Sequence, residues 1–192
     1  SILQAQSESY RRIRNTFRYL IGNLNGFNDD EKISEDKFPE LEKYILHRLW
    51  EVDQIVKDCV NTFNFHLMFT TLLNFCSNDL SAFYFDIRKD IIYCDSSSSL
   101  KRRSARSLLD IIFNFLVRWL APSLSFTSEE AWKARGSSSS VHLEDFLSAK
   151  ENYCNHNLKN KWNVIKQVRR VVTGALEKKR ADKIIGSSLE AH

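Results

Sequence analysis

Glycine and proline are scarce, five and two residues in a chain of 192. With so little turn punctuation, and with apolar residues recurring at helical rather than alternating spacing, strands are nearly excluded and an all-α chain is expected. The four cysteines, Cys59, Cys76, Cys94 and Cys154, lie far apart without a C-x-x-C pair. That spacing argues against a disulfide framework and against a zinc knuckle, and they read as reduced packing thiols. The longest apolar run, from Leu108 to Pro122, is interrupted by Asp110, Asn114 and Arg118, and no basic leader precedes an apolar stretch at the start. A soluble, cytoplasmic protein without a membrane partner is expected.

Patterns that carry catalysis are missing too. No His-x-x-x-His or Glu-x-x-His pair offers metal ligands at helical spacing, and no glycine-rich loop could cradle a phosphate. His47, His66, His142 and His156 stand alone, and Glu129 and Glu130, being adjacent, point about 100° apart on a helix. The expectation is no catalytic residue, no metal ligand and no cofactor within this chain.

What the chain does have is positive charge in one place. Lys159 to Lys183 contains nine basic and two acidic residues, an excess larger than the whole chain's +4, so the remainder is mildly acidic. Positive charge concentrated on such a body suits a polyanion, nucleic acid ahead of membrane, and equally suits a solvated lysine-rich helix. With 43% hydrophobic residues the chain can bury roughly 70% of its unfolded surface, enough for one large domain with an appendage.

The periodicity predicts a first helix from about Ser7 to Leu24, burying Tyr10, Ile13, Phe17, Leu20, Ile21 and Leu24. Its other flank carries Arg11, Arg14 and Arg18 within roughly 60° of one another. A second helix follows Pro39 with Leu41, Ile45, Leu49, Val52, Ile55 and Cys59 on one side. A third helical region, about His66 to Ile92, is rich in aromatics, a density that reads as core. Its alternating charges Asp79, Asp86, Arg88 and Asp90 read as a salt-bridge network. The serine run Ser96 to Ser99 should cap a fourth helix, Leu100 to Leu120, whose Arg103, Arg106, Asp110, Asn114 and Arg118 form one polar stripe on an otherwise apolar rod. Such a rod belongs at the centre of a bundle.

Thr127-Ser128-Glu129-Glu130 reads as a capping box opening a short helix to Ala134. A last helix, about Asn157 to Ile184, should bury Trp162, Ile165, Val168, Val172 and Leu176 and stop at Gly186-Ser187-Ser188. Lys159, Lys166, Arg169, Arg170 and Arg180 fall on the flank beside that face, within roughly 100°. The expected organisation is a helical bundle over 1–156 and a basic helix leading into a junction over 157–192.

Several strings, in order, resemble one family. Tyr10-Arg-Arg-Ile-Arg-Asn-Thr16, Gly22-Asn-Leu24, Asn74-Phe-Cys76, Asp79-Leu-Ser-Ala-Phe-Tyr-Phe-Asp-Ile-Arg-Lys-Asp90 and Tyr93-Cys-Asp95 are similar to the anticodon-binding region of bacterial-type isoleucyl-tRNA synthetases. So are Leu120-Ala-Pro122, Phe126-Thr-Ser-Glu-Glu-Ala-Trp132, Ser140-Val-His-Leu143 and Ile185-Gly-Ser-Ser-Leu-Glu-Ala191. The resemblance implies the helical bundle of class I aminoacyl-tRNA synthetases, and a monomeric parent ligase that charges isoleucine-accepting tRNA using ATP and magnesium. It also implies that this chain is a piece of that parent. The HIGH and KMSKS strings, the editing insertion and the cysteine-rich zinc module that many members carry after this region do not occur in it.

An anticodon is a single-stranded loop on an A-form stem, so a protein must grip stem phosphates and read splayed bases by stacking and edge hydrogen bonds. Arg11, Arg14 and Arg18 at i, i+3 and i+7 could track successive phosphates, each guanidinium donating a fork of two bonds. Asn15 beside them has an amide suited to a base edge, and equally to packing against a loop. Lys166, Arg169, Arg170 and Arg180 make the second candidate RNA-binding surface. Two other readings stay open: a scaffold that orients the catalytic body, and the corresponding domain of a valyl- or leucyl-type synthetase.

Overall fold

A computed structural model describes residues 2–186, and among them there is no strand. Helix α1 runs over Ile2–Asn23, α2 over Glu40–Asn61, α3 over Phe65–Asn74, α4 over Asp86–Cys94, α5 over Leu100–Leu120, α6 over Ser125–Ala134 and α7 over His156–Ala181. Four short 3-10 turns punctuate the connections, at Asp29–Glu31, Glu35–Lys37, Val141–Leu143 and Glu151–Tyr153. The chain divides into two compact units, Ser1–Cys154 and Asn155–His192.

The bundle forms around α5. Leu108, Leu109, Ile112, Phe113, Leu116, Val117, Trp119 and Leu120 are all buried, covering nearly every side of that helix. Only a rod surrounded by other helices can hide so many directions at once, and α1, α2, α4 and α6 all pack on it. Ser99 caps α5 as expected, its side chain accepting from the Arg102 amide. Phe113 stacks on Trp132 of α6 and meets Phe17 of α1 edge to face, which ties three helices through one ring.

The aromatic third region is helical from end to end, but not as one α-helix. Between α3 and α4 the backbone passes through a π-helical stretch, Phe75–Phe85, with Asn74 and Asp86 on either side still in α geometry. Widening the turn changes the angle between successive side chains, so an ideal 3.6-residue wheel misplaces them. In this register Phe75, Cys76, Asp79, Leu80, Phe83, Tyr84 and Phe85 all become buried. Tyr19 of α1 stacks on Phe85 with ring centroids 4.0 Å apart.

Other expectations shift at their edges. Helix α1 begins at Ile2, and its Tyr10 and Ile21 are only half-buried, while Thr16 is buried. In α2, Ile55 is exposed and Val56 takes the inward place. That helix stops at Asn61, because Phe63 turns the chain with φ of 57° before Asn64 caps α3. Helix α6 begins at Ser125, ahead of the expected capping box, and has no side-chain cap. Thr127 lies inside the helix with its hydroxyl 3.0 Å from the Tyr10 hydroxyl, and Glu129 accepts from the Val141 amide and the Ser140 hydroxyl, 2.9 Å each. Tertiary partners have displaced the local cap. None of the residues of α7 is buried, so Trp162, Ile165, Val168, Val172 and Leu176 do not form the buried face expected of them. The expected stop at Gly186-Ser187-Ser188 runs outside the described residues.

The salt-bridge network expected among Asp79, Asp86, Arg88 and Asp90 takes other partners. Arg88 forks onto the buried Glu42 at 2.6 and 2.8 Å, and the Tyr84 hydroxyl donates to the same carboxylate at 3.1 Å. Asp79 pairs with Arg48 at 3.2 Å, while Asp86 pairs on the surface with Lys89. Removing one partner of a buried pair strands the other charge, so Arg88→Ala should cost about 3–5 kcal/mol of folding stability, read as a lowered urea midpoint.

Burial also protects several protons. It pushes the Cys76 thiol up from 9.0 to about 12 and holds the Tyr84, Tyr19 and Tyr153 hydroxyls above their usual 10.0. These groups stay protonated in the fold at pH values where the unfolded chain releases the proton. Folding then binds protons, so stability falls as pH climbs from the ordinary thiol value toward the folded one. Urea midpoints measured at about pH 8 and about pH 10.5 should show the second clearly lower.

Candidate nucleic-acid interface

Arg11, Asn15 and Arg18 share the outer face of α1, and all three are exposed. They differ in how much of each side chain is already in use. Arg11 is held by Glu8 one turn back, at 2.7 Å. The Asn15 side chain makes no hydrogen bond, and Arg18 makes no ion pair, among the described residues. Arg12 also faces solvent on this helix, outside the 60° arc of Arg11, Arg14 and Arg18.

Arg14 turns toward α6. Its Nη1 donates to the Tyr10 hydroxyl at 3.2 Å and its Nη2 lies 3.5 Å from Glu130. Bonds from Thr127 and then Arg14 lower the Tyr10 pKa, and the Tyr10 bond is the main reason the Arg14 value rises. Arg14 and Arg18 line one groove with Phe17, Ile21, Thr127 and Glu130. The expected row of three arginines is therefore one pair at a groove, with Arg11 a turn away and tied down. Phe126 opens beside this groove's Thr127 with 93% of its surface exposed. Nothing in the sequence separates it from core phenylalanines.

The stripe on α5 shows what arginines look like when the fold consumes them. Arg106 donates to the carbonyls of Asn23 and Asn25 at 3.0 and 2.7 Å, pairs with Glu31 and lies over the Phe27 ring. Arg103 donates to the carbonyls of Asp30 and Glu31. Arg118 reaches Glu144 at 2.8 Å and lies over Trp132, and Asp110 pairs with Arg135 at 3.0 Å. The stripe is thus consumed in ion pairs and carbonyl bonds, with most of its partners coming from loops.

Considered by itself, α7 is a helix with cations and an apolar stripe. Arg170 is exposed and without an ion pair among the described residues, whereas Arg180 pairs with Glu177 one turn back. Lys166 and Arg169 are half-exposed and have partners of their own. Val164, Val168, Val171 and Val172 are all exposed. Among the described residues no group of three or more His, Cys, Asp or Glu side chains could hold a metal, and no helix is long and apolar enough to cross a membrane.

The chain has many relatives. Over its full length it is 47% identical to an isoleucine–tRNA ligase of Pelagibacter ubique, and over 99% of its length 49% and 51% identical to those of Gluconobacter oxydans and Bartonella henselae. It spans only 20 to 22% of those relatives' own length. Its fold is similar to part of the LeuRS chain in a LeuRS–tRNA–LeuAMS complex of Agrobacterium radiobacter K84. The TM-score is 0.56 over 79% of this chain and 17% of that one, at 21% identity. The family described as the anticodon-binding domain of tRNA ligase matches residues 42–192. An all-α bundle with arginines on an outer helix, matched to that family over most of its length, belongs to the anticodon-binding domains of tRNA ligases.

Proposed function

We propose that this chain is the part of an isoleucine–tRNA ligase that grips the anticodon arm of isoleucine-accepting tRNA, while catalysis belongs to other parts of the parent. The observation that carries the reading is the identity of 47 to 51% to isoleucine–tRNA ligases over essentially the whole chain. The exposed cations Arg18 and Arg170 support it, since a guanidinium without an internal partner can give its full fork to a phosphate. Asn15 would offer its amide to a base edge. Lys166, Arg169 and Arg180 add to the positive field of α7. In the parent, ATP and magnesium would serve the charging reaction, and zinc would belong to a further module. The parent would work as a cytoplasmic monomer.

Arg14 favours a scaffold role for its own position, because it joins α1 to α6 through Tyr10 and Glu130. Two kinds of arginine are therefore separable by experiment. Phosphate contacts release counterions, so log affinity for tRNA should fall linearly with log salt. Arg18→Ala and Arg170→Ala should each weaken binding and reduce that slope by about one. Arg14→Ala should instead lower the denaturation midpoint. Binding measured by anisotropy over a salt series checks this, and affinity indifferent to salt would sink the reading.

Differential binding is the second requirement. A tRNA with an isoleucine anticodon should bind about tenfold tighter than one with a single anticodon substitution, a difference of about 1.4 kcal/mol. A competition titration with the two tRNAs measures it.

A further inference from the structure

Two glycines stand in α-helices without a packing or turn requirement for glycine, Gly174 in the interior of α7 and Gly22 in the last turn of α1. Gly22 lies in α1 and Gly174 in α7, and both are exposed. A Cβ built at either position would meet nothing within 4 Å, and neither has the positive φ that a turn would require. Packing does not demand them and backbone geometry does not demand them. Glycine is nevertheless among the least favourable residues inside a helix, so Gly174 carries a cost with no internal return, and Gly22, one residue from the end of α1, a smaller one.

Their neighbours are alike. Four residues before each glycine stands an arginine, Arg18 before Gly22 and Arg170 before Gly174. These two arginines are exposed and have no ion-pair partner among the described residues, unlike Arg11, Arg14 and Arg180. Spacing of i and i+4 puts each arginine and its glycine on one face, about 6 Å apart along the axis. In α1 the row Arg11, Asn15, Arg18, Gly22, at steps of four, three and four, runs straight along the outer face.

We infer that each Arg-x-x-x-Gly pair is a seat for an RNA backbone: the guanidinium takes a phosphate, and the bare glycine lets the neighbouring ribose lie against the helix. A missing side chain is useful where another chain must come within van der Waals distance of the helical backbone. Phosphate and sugar contacts of this kind set register on the RNA without reading its sequence. The two seats would lie in the bundle and in α7 respectively, each acting on its own stretch of backbone. The inference rests on the tRNA-binding reading and specifies where the backbone approaches closest.

The test uses the full chain and an isoleucine-accepting tRNA transcript. Gly22→Ala and Gly174→Ala should raise the denaturation midpoint through helix propensity and yet weaken tRNA binding. Gly22→Leu should bind about tenfold more weakly than the unsubstituted chain. Its salt slope should be unchanged because no charge is lost, whereas Arg18→Ala flattens the slope. Since the alanine variants are expected to be more stable, misfolding does not account for their loss of binding. Stabilised alanine variants that bind as tightly as the unsubstituted chain would overturn the inference and leave the tRNA reading standing. No binding by the unsubstituted chain would overturn both.

Discussion

The clamp of Arg106 on the end of α1 is the contact on which the outer face of the bundle depends. A helix leaves its last carbonyls without intrahelical partners, and those of α1 would point into a crowded corner. The buried Arg106 guanidinium takes Asn23 and Asn25 while pairing with Glu31, and Arg135 takes Leu24 at 3.0 Å. Two arginines from α5 and the end of α6 thus hold the terminus of a third helix. With its C-terminal end fastened and its inner face packed by Ile13, Phe17 and Leu20, α1 has no freedom to rotate. Arg11, Asn15 and Arg18 must then face outward.

The arginines of the bundle divide into two populations. Arg48, Arg88, Arg103, Arg106, Arg118 and Arg135 are committed to carboxylates or carbonyls of the same chain. Burying a guanidinium is costly unless its donors find acceptors, and these side chains find nearly all of theirs by reaching loops and neighbouring helices, the buried Nε of Arg118 being left without one. Arg12 and Arg18 remain exposed on the outside of α1. A counterion-releasing contact with RNA therefore costs the fold little there. The same division shows why net charge is a poor guide to the bundle: its body is mildly acidic, yet it exposes cations locally, since several carboxylates such as Glu42, Asp79 and Asp110 pair inside the fold.

Much of the bundle was legible in the residues. The apolar rod of α5 announced its central place, and the aromatic richness after His66 announced a core, because both are consequences of composition along a helix. The path through Phe75–Phe85 was not legible, since a π-helical register depends on what packs around it and an ideal wheel assumes 3.6 residues per turn. The capping box at Thr127 was read as local chemistry, but Tyr10, Ser140 and Val141, each more than ten residues away, outbid the local amides. Of the candidate RNA-binding residues, charge and spacing located the helix face. They could not separate Arg18, which keeps its fork, from Arg14, which shares it between Tyr10 of its own helix and Glu130 of α6.

By itself the amino-acid sequence determined that this chain is helical, which rods carry its core, and which helices carry positive charge, because periodicity and composition act along a single element. Only the tertiary structure decided which of those charges are spent and which remain available. An ion pair such as Arg14 with Glu130 or Arg88 with Glu42 joins residues distant in the chain, and the closeness of two such groups is a property of packing that no local pattern encodes.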